Sequence, residues 1–278
     1  MEVRKLIEAV INYSFMQNAV MSAFFASIIC GIIGTIVIEK KLVMMSGGIA
    51  HTSFGGIGLG YYAGFEPLLG ALVFAVVSAI SIVKIKNNTT TKSDTLIGLF
   101  WSVGMALGIL FISFTPGYPP TMSTYLFGDI LTTSRFDVIF AGLLSFFILF
   151  IIRSYYKYWK AYLFDDEFLS VMGINTQFME YFLFILIAFA IVVVIKLVGI
   201  ILVIALLTAP AAIARIYTYS LKKMMIISVF LSMFFSGTGL FLSYNFDVPS
   251  GATIIILAGG SYLLIALFKN LYRNNFIR

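Results

Sequence analysis

The chain is poor in charge, cysteine and histidine, and each shortage removes a class of function. Only 11% of its 278 residues are charged, and its mean hydropathy is +1.04. Soluble domains are about 25% charged, so a soluble globular enzyme is excluded. With 61% hydrophobic residues, a disordered chain is excluded too, because disorder needs a low apolar content. The single cysteine, Cys30, lies inside an apolar run. It rules out an internal disulfide and any zinc site built from four cysteines or from two cysteines and two histidines. The single histidine, His51, rules out mechanisms that take two imidazoles from one chain. No Gly-x-x-x-x-Gly-Lys-Ser/Thr pattern occurs, so the chain does not hydrolyse ATP by the P-loop route. No stretch of soluble composition is long enough for a nucleotide-binding domain.

What remains is apolar sequence in blocks of roughly 17 to 25 residues, the length that spans a hydrocarbon core as a helix. Aromatic residues make up 16% of the chain, 28 Phe and 15 Tyr among them, which suits lipid-facing surface and interfacial belts. The fold class expected is an all-α polytopic membrane protein, a single transmembrane domain over residues 1–278. Spans are expected at 15–38, 42–64, 67–85, 96–114, 136–153, 178–196, 198–216, 224–244 and 251–268. The pair 178–196 and 198–216 is so close that one helix plus a broken half-helix is the alternative, giving 8 rather than 9 spans. Residues 1–17 lack a small-residue cleavage site after a short apolar core and are not read as a cleaved signal peptide.

Charge sets the expected orientation. If the 39–41 loop is cytoplasmic, that side holds Lys40, Lys41, Lys84, Lys86, Lys92, Arg153, Lys157, Lys160, Arg215, Lys222, Lys223, Lys269, Arg273 and Arg278. These are 14 of the 18 Lys and Arg residues. The other side has Arg4, Lys5, Arg135 and Lys196. The positive-inside rule then puts the N-terminus outside and the C-terminus inside. The net charge of +6 thus reflects cytoplasmic loops rather than nucleic-acid binding. Pro116, Pro119 and Pro120 mark an external loop, residues 86–93 a polar cytoplasmic one, and Pro249-Ser250-Gly251 the start of the last span.

Four segments stand out. In the second span, Gly56, Gly60 and Gly64 recur every four residues, a small-residue face that lets another helix approach. His51 lies in the same span at membrane depth. One reading is a neutral imidazole bonded to a neighbouring carbonyl. The other is an ionisable group facing an interior path, where imidazole is a common metal ligand. Next, Asp165, Asp166 and Glu167 open a short amphipathic helix with Phe168, Leu169 and Met172 as its apolar stripe and Gly173 as its terminator. A helix lying on lipid would be basic; an acidic start favours docking into a protein partner. The run Gly199 to Ala214 carries Pro210, expected to bend a closely packed helix. Tyr125-Leu126-Phe127-Gly128-Asp129 reads as an amphipathic return into the membrane, and Asp247 either as a loop residue near a helix end or as a guard of an external mouth.

Together these segments resemble the permease family of zinc- and manganese-type ABC importers, over about residues 17–268. Gly48-Ile49-Ala50-His51 followed by Gly55-Gly56-Ile57-Gly58-Leu59 resembles the family's second-helix histidine motif. Ser93-Asp94-Thr95-Leu96-Ile97-Gly98, Tyr125-Leu126-Phe127-Gly128 and Phe164-Asp165-Asp166-Glu167-Phe168 with Gly173-Ile174 are similar to its cytoplasmic loop, external element and coupling helix. The run from Gly199 and Asp247-Val248-Pro249-Ser250-Gly251-Ala252-Thr253 is similar to its late helices. Many members carry an aspartate four residues before the histidine; here that position is Gly47.

The resemblance implies a transport subunit without enzymatic activity or a cofactor of its own. It implies a homodimer of permeases, two cytoplasmic ATPase subunits that bind ATP and each receive one coupling helix, and an extracytoplasmic metal-binding protein. Transport would run by alternating access in the cell membrane, with His51, Ser46 and Asp247 on the path. Zinc is favoured over manganese or iron because manganese prefers more oxygen ligands. A permease for a chelated metal, a siderophore or corrinoid, is the alternative, but the glycine-rich second span argues against a wide cavity. A secondary transporter would place several ionisable groups near the midplane. A membrane enzyme would need convergent catalytic groups that the chain lacks.

Overall fold

An apolar run in hydrocarbon must satisfy its own backbone, and a helix does so within one segment. The computed structural model describes residues 8, 10–89, 93–117, 122–128 and 130–275. In chain order its helices are α1 (Ser14–Glu39), α2 (Val43–Ala63), α3 (Pro67–Asn88), α4 (Ser93–Phe114), the short α5 (Met122–Phe127), α6 (Arg135–Ser154), the short α7 (Tyr156–Phe164) and α8 (Asp166–Val171), α9 (Thr176–Val198), α10 (Ile200–Tyr217), α11 (Leu221–Phe246) and α12 (Ser250–Asn275). There is no strand among the described residues. The nine long helices coincide with the nine expected spans. Pro119, Pro120, Asp129, Lys92, Arg4, Lys5 and Arg278 lie outside the described residues.

Eight of the nine are long and apolar enough to cross a membrane. The exception is α2, whose six glycines, Ser46, His51, Thr52 and Ser53 lower its hydropathy. It can be polar because it is interior: most of it is buried, sandwiched between α3 and α4. The packing is backbone on backbone. Added methyl groups at Gly56 and Gly70 would each collide with the other residue's carbonyl, and one at Gly60 would come within 2.6 Å of Pro67 Cα. On the other side, methyl groups at Gly55 and Gly58 would meet the carbonyl oxygens of Gly104 and Gly108 at 2.8 and 2.5 Å. Gly64 differs from the expectation for it. It ends α2 with φ +74 and has nothing within 4 Å of an added methyl. The same four-residue spacing that puts Gly56 and Gly60 on a contact face puts Gly64 past the contact, where its positive φ terminates the helix.

A second group of helices surrounds α1, which packs on α6, α10 and α11, while α12 covers α10 and α11. The strongly apolar α9 lies between the groups, touching α3, α2, α1 and α6. Helix α10 runs unbroken through Pro210. Gly199 alone separates α9 from α10, with φ +86. Both helices return to one face: Glu180, near the start of α9, is 2.8 Å from Lys86, and Arg215, in the last turn of α10, is 2.5 Å from Glu39. These are therefore two separate long helices rather than one helix and a half-helix, and α1 begins on the face opposite to the one where α12 reaches Lys269. Asn18 donates to the Thr133 carbonyl on one side, and Lys269 to the Ile216 carbonyl on the other.

Candidate transport site and coupling surface

His51 sits on the third turn of α2, about 12 Å along the helix from its Lys40 end. It is 9% exposed, and its imidazole stacks on Trp101 of α4, with ring centroids 4.0 Å apart and planes 10° apart. Its Nδ1 is buried and has no hydrogen-bond partner among the described residues. The carbonyl-bonded reading is thus not what Nδ1 shows. A buried polar atom without a partner is uncommon and costly; here it leaves a ring nitrogen with a lone pair or a proton to offer.

Gly47 lies one turn below His51 on the same face. An added methyl there would meet Trp101 Cζ3 at 3.7 Å and Ile204 Cδ1 of α10 at 3.9 Å, which is ordinary contact. Imidazole, indole and Ile204 therefore converge on the space beside Gly47. Ser46 is buried, but its hydroxyl donates to its own helix at Val43 O (2.8 Å). Five positions rotate it about 140° from His51, so the structure does not bring the two together. Asp247 is exposed at the opposite face, in the left-handed conformation that ends α11 (φ 53). No group of three or more His, Cys, Asp or Glu side chains able to hold a metal ion occurs among the described residues.

Sequence reasoning missed a small cavity of about 190 Å³ at the end of α2 away from Lys40, lined by Tyr61, Glu66, Tyr125 and Lys196. Tyr61 and Tyr125 share a hydrogen bond through their hydroxyls. The segment that follows explains the Phe-Gly element. Gly128 (φ +62) lies directly against the Val198–Gly199 break, and a methyl at Gly251 would meet the Phe127 carbonyl at 2.7 Å. Three glycine positions far apart in sequence thus form one clasp at the end of the bundle away from Lys40.

On the Lys-rich face, α8 is built as its sequence suggested. The Asp165 side chain caps it by accepting from Phe168 N (2.9 Å), and Gly173 (φ +78) ends it. Leu169 is buried, whereas Phe168, Val171 and Met172 point outward. Asp166 behaves differently from its neighbours. It pairs with Lys40 at 3.1 Å, and Lys40 also lies 4.2 Å over the Tyr162 ring. Its carboxylate is engaged within the chain, tying α8 to the α1–α2 turn, while Glu167 remains at the exposed start of the helix. The Lys40 bond holds the Asp166 carboxyl below the usual carboxylate range. The sign follows: this contribution is complete above about pH 4 and is lost only as pH falls through the depressed value. For so exposed a pair it amounts to about 0.2–1 kcal/mol.

Residues 12–269 match the ABC 3 transport family. An uncharacterized membrane protein of Synechocystis sp. is 41% identical over 95% of this chain and 95% of its own. The manganese import system permease protein ScaB of Streptococcus gordonii is 31% identical over 94% of both chains. The structure of PsaBC from Streptococcus pneumoniae in complex with Fab superposes with a TM-score of 0.84, at 32% identity and 94% coverage of each chain. The apolar helix bundle, the interior histidine helix and these likenesses agree: the chain belongs to the ABC 3 transport family, as a multi-pass membrane transport subunit rather than an enzyme.

Proposed function

We propose that the chain is the permease of an ATP-driven importer of a divalent transition-metal cation, which passes His51 on its way to the cytoplasm. The observation that carries this reading is the buried His51 Nδ1 without a partner among the described residues, held in the one long described helix that is not apolar enough to count as a membrane span. A cation crossing hydrocarbon needs replacement ligands, and it must also leave them, so one imidazole with a sparse shell suits a path better than a store. The side chains within 4 Å of a methyl at Gly47, Trp101 and Ile204, carry no charge to repel it. Asp247 and Glu66 are the acidic groups at the outer end, and Ser46 lies below His51 toward the cytoplasm.

The donor set favours zinc, which accepts imidazole readily and needs few oxygen ligands. A specific observation favours manganese as the second reading: ScaB is named for manganese import. Two permease copies, two ATP-binding subunits and an extracytoplasmic metal-binding protein complete the transporter in the cell membrane, with the Lys-rich face in the cytoplasm. Helix α8 is the coupling element, offering Phe168, Glu167 and Met172 to the ATPase, while Asp165 and Gly173 shape it. Alternating access then moves α8 together with the α1–α2 turn through Lys40 and Asp166.

The test is zinc and manganese accumulation by cells carrying the complete transporter, read by elemental analysis. Accumulation of neither metal overturns the reading. Gly47→Asp adds a carboxylate one turn from His51 in space that admits it; it is expected to raise the manganese-to-zinc uptake ratio severalfold. An unchanged ratio would remove Gly47 from the ligand shell. Asp166→Lys is expected to leave ATP hydrolysis running while uptake falls at least tenfold. Lys40→Asp combined with Asp166→Lys should restore part of it. Normal coupling in the single variant would detach α8 from the mechanism.

A further inference from the structure

One sizeable cavity lies away from His51. It lies on the opposite flank of α1, where α6 and α11 both pack on α1 and make little contact with each other. Its volume is about 590 Å³, within the range of small-molecule sites. Its walls are apolar, with Ile28, Phe230 and Met233 among them, and its end on the Lys-rich face carries Arg153, Lys222 and Tyr156. No acidic side chain lines it. Neither Arg153 nor Lys222 has an ion-pair or hydrogen-bond partner among the described residues. Lys222 also sits in the first turn of α11, which has no acidic residue to offset the positive helix end. Two cations and a helix N-terminus thus converge at the mouth of an oily slot with nothing of opposite charge.

We propose that this cavity binds an anionic phospholipid of the Lys-rich leaflet, with its phosphate between Arg153 and Lys222 and an acyl chain laid along α11 to Met233. The dimensions agree. Lys222 to Met233 is eleven helical steps, about 16 Å, and half of a hydrocarbon core is about 15 Å. The chemistry agrees as well, since basic pockets between spans on the cytoplasmic side recognise anionic headgroups. The bound lipid bridges the end of α6, which leads through α7 into α8, to the start of α11. It thereby fastens two elements that the protein itself leaves apart. This inference is independent of which ion is carried.

The experiment is native mass spectrometry of the complete transporter titrated with phosphatidylglycerol or phosphatidylcholine. Wild type is expected to bind phosphatidylglycerol at least tenfold more tightly. Arg153→Gln with Lys222→Gln should abolish that preference while leaving phosphatidylcholine binding unchanged. Ile226→Trp, which fills the slot with both charges intact, should lose the lipid too. Lys157→Gln with Lys160→Gln, exposed cations on the same face, should change nothing. Equal binding of the two lipids overturns the proposal, as does an equal loss in the Lys157 and Lys160 variant, which would indicate a diffuse field. Displacement of the lipid by inorganic phosphate would make this an ion site instead. Dissociation of the permease oligomer by Ile226→Trp would mean that another protein chain covers the slot.

Discussion

Replacing Gly56 by leucine is expected to destabilise the folded bundle by about 3 kcal/mol or more. The α2–α3 crossing is set by Gly56 and Gly70, each of which has the other's carbonyl where a side chain would begin. Ordinary overpacking costs about 1–3 kcal/mol because side chains can shift. Here the obstacle is backbone, and α2 is also held from the other side by Gly104 and Gly108 of α4, so it cannot retreat. The cost therefore lies at or beyond the top of that range. For a chain of this size about 3 kcal/mol corresponds to a Tm lower by roughly 5 °C, and a larger cost to more. Thermal unfolding of the detergent-solubilised protein reads this directly. Gly64→Leu is the matched control for bulk, since its surroundings are open; its penalty arises from φ alone. An unchanged Tm for Gly56→Leu would refute the close crossing.

His51→Ala is expected to reduce metal accumulation at least tenfold, equivalent to about 1.4 kcal/mol, with the transporter still assembled. The imidazole does two things in the structure. It packs against the Trp101 face, and it presents a buried nitrogen that none of the described residues satisfies. The two roles separate by substitution. His51→Phe keeps a ring against Trp101 and removes the nitrogen, so it should preserve stability and lose transport. Trp101→Ala frees the imidazole from its stack and should weaken uptake through position alone, while Trp101→Phe restores part of it. Accumulation within twofold of wild type in both His51 variants would make the residue a packing group and leave the path elsewhere.

Local features were legible before any fold was known. Eight of the nine long helices follow from run length and hydropathy, and the end of α8 follows from Gly173, whose positive φ suits glycine. The break at Gly199 was visible only as an ambiguity. Sequence spacing could not show that α9 and α10 both return to one face, because a single glycine at φ +86 permits either a bend or a reversal. The Gly56–Gly60–Gly64 series shows the same limit, since one helical period describes both a contact and its end.

The sequence by itself determined that this chain lives in a membrane, where its helices run, which face gathers its cations and at what depth its one imidazole lies. Each of these depends on neighbours within a helical turn or on the apolar length of a run. The tertiary structure alone decided what His51 touches, that Asp166 is held by Lys40 across 126 positions, that Gly128, Gly199 and Gly251 meet, and that Arg153 and Lys222 share one apolar slot. Those pairings arise where helix surfaces interlock, and the ridges and grooves that select them exist only once the helices are packed.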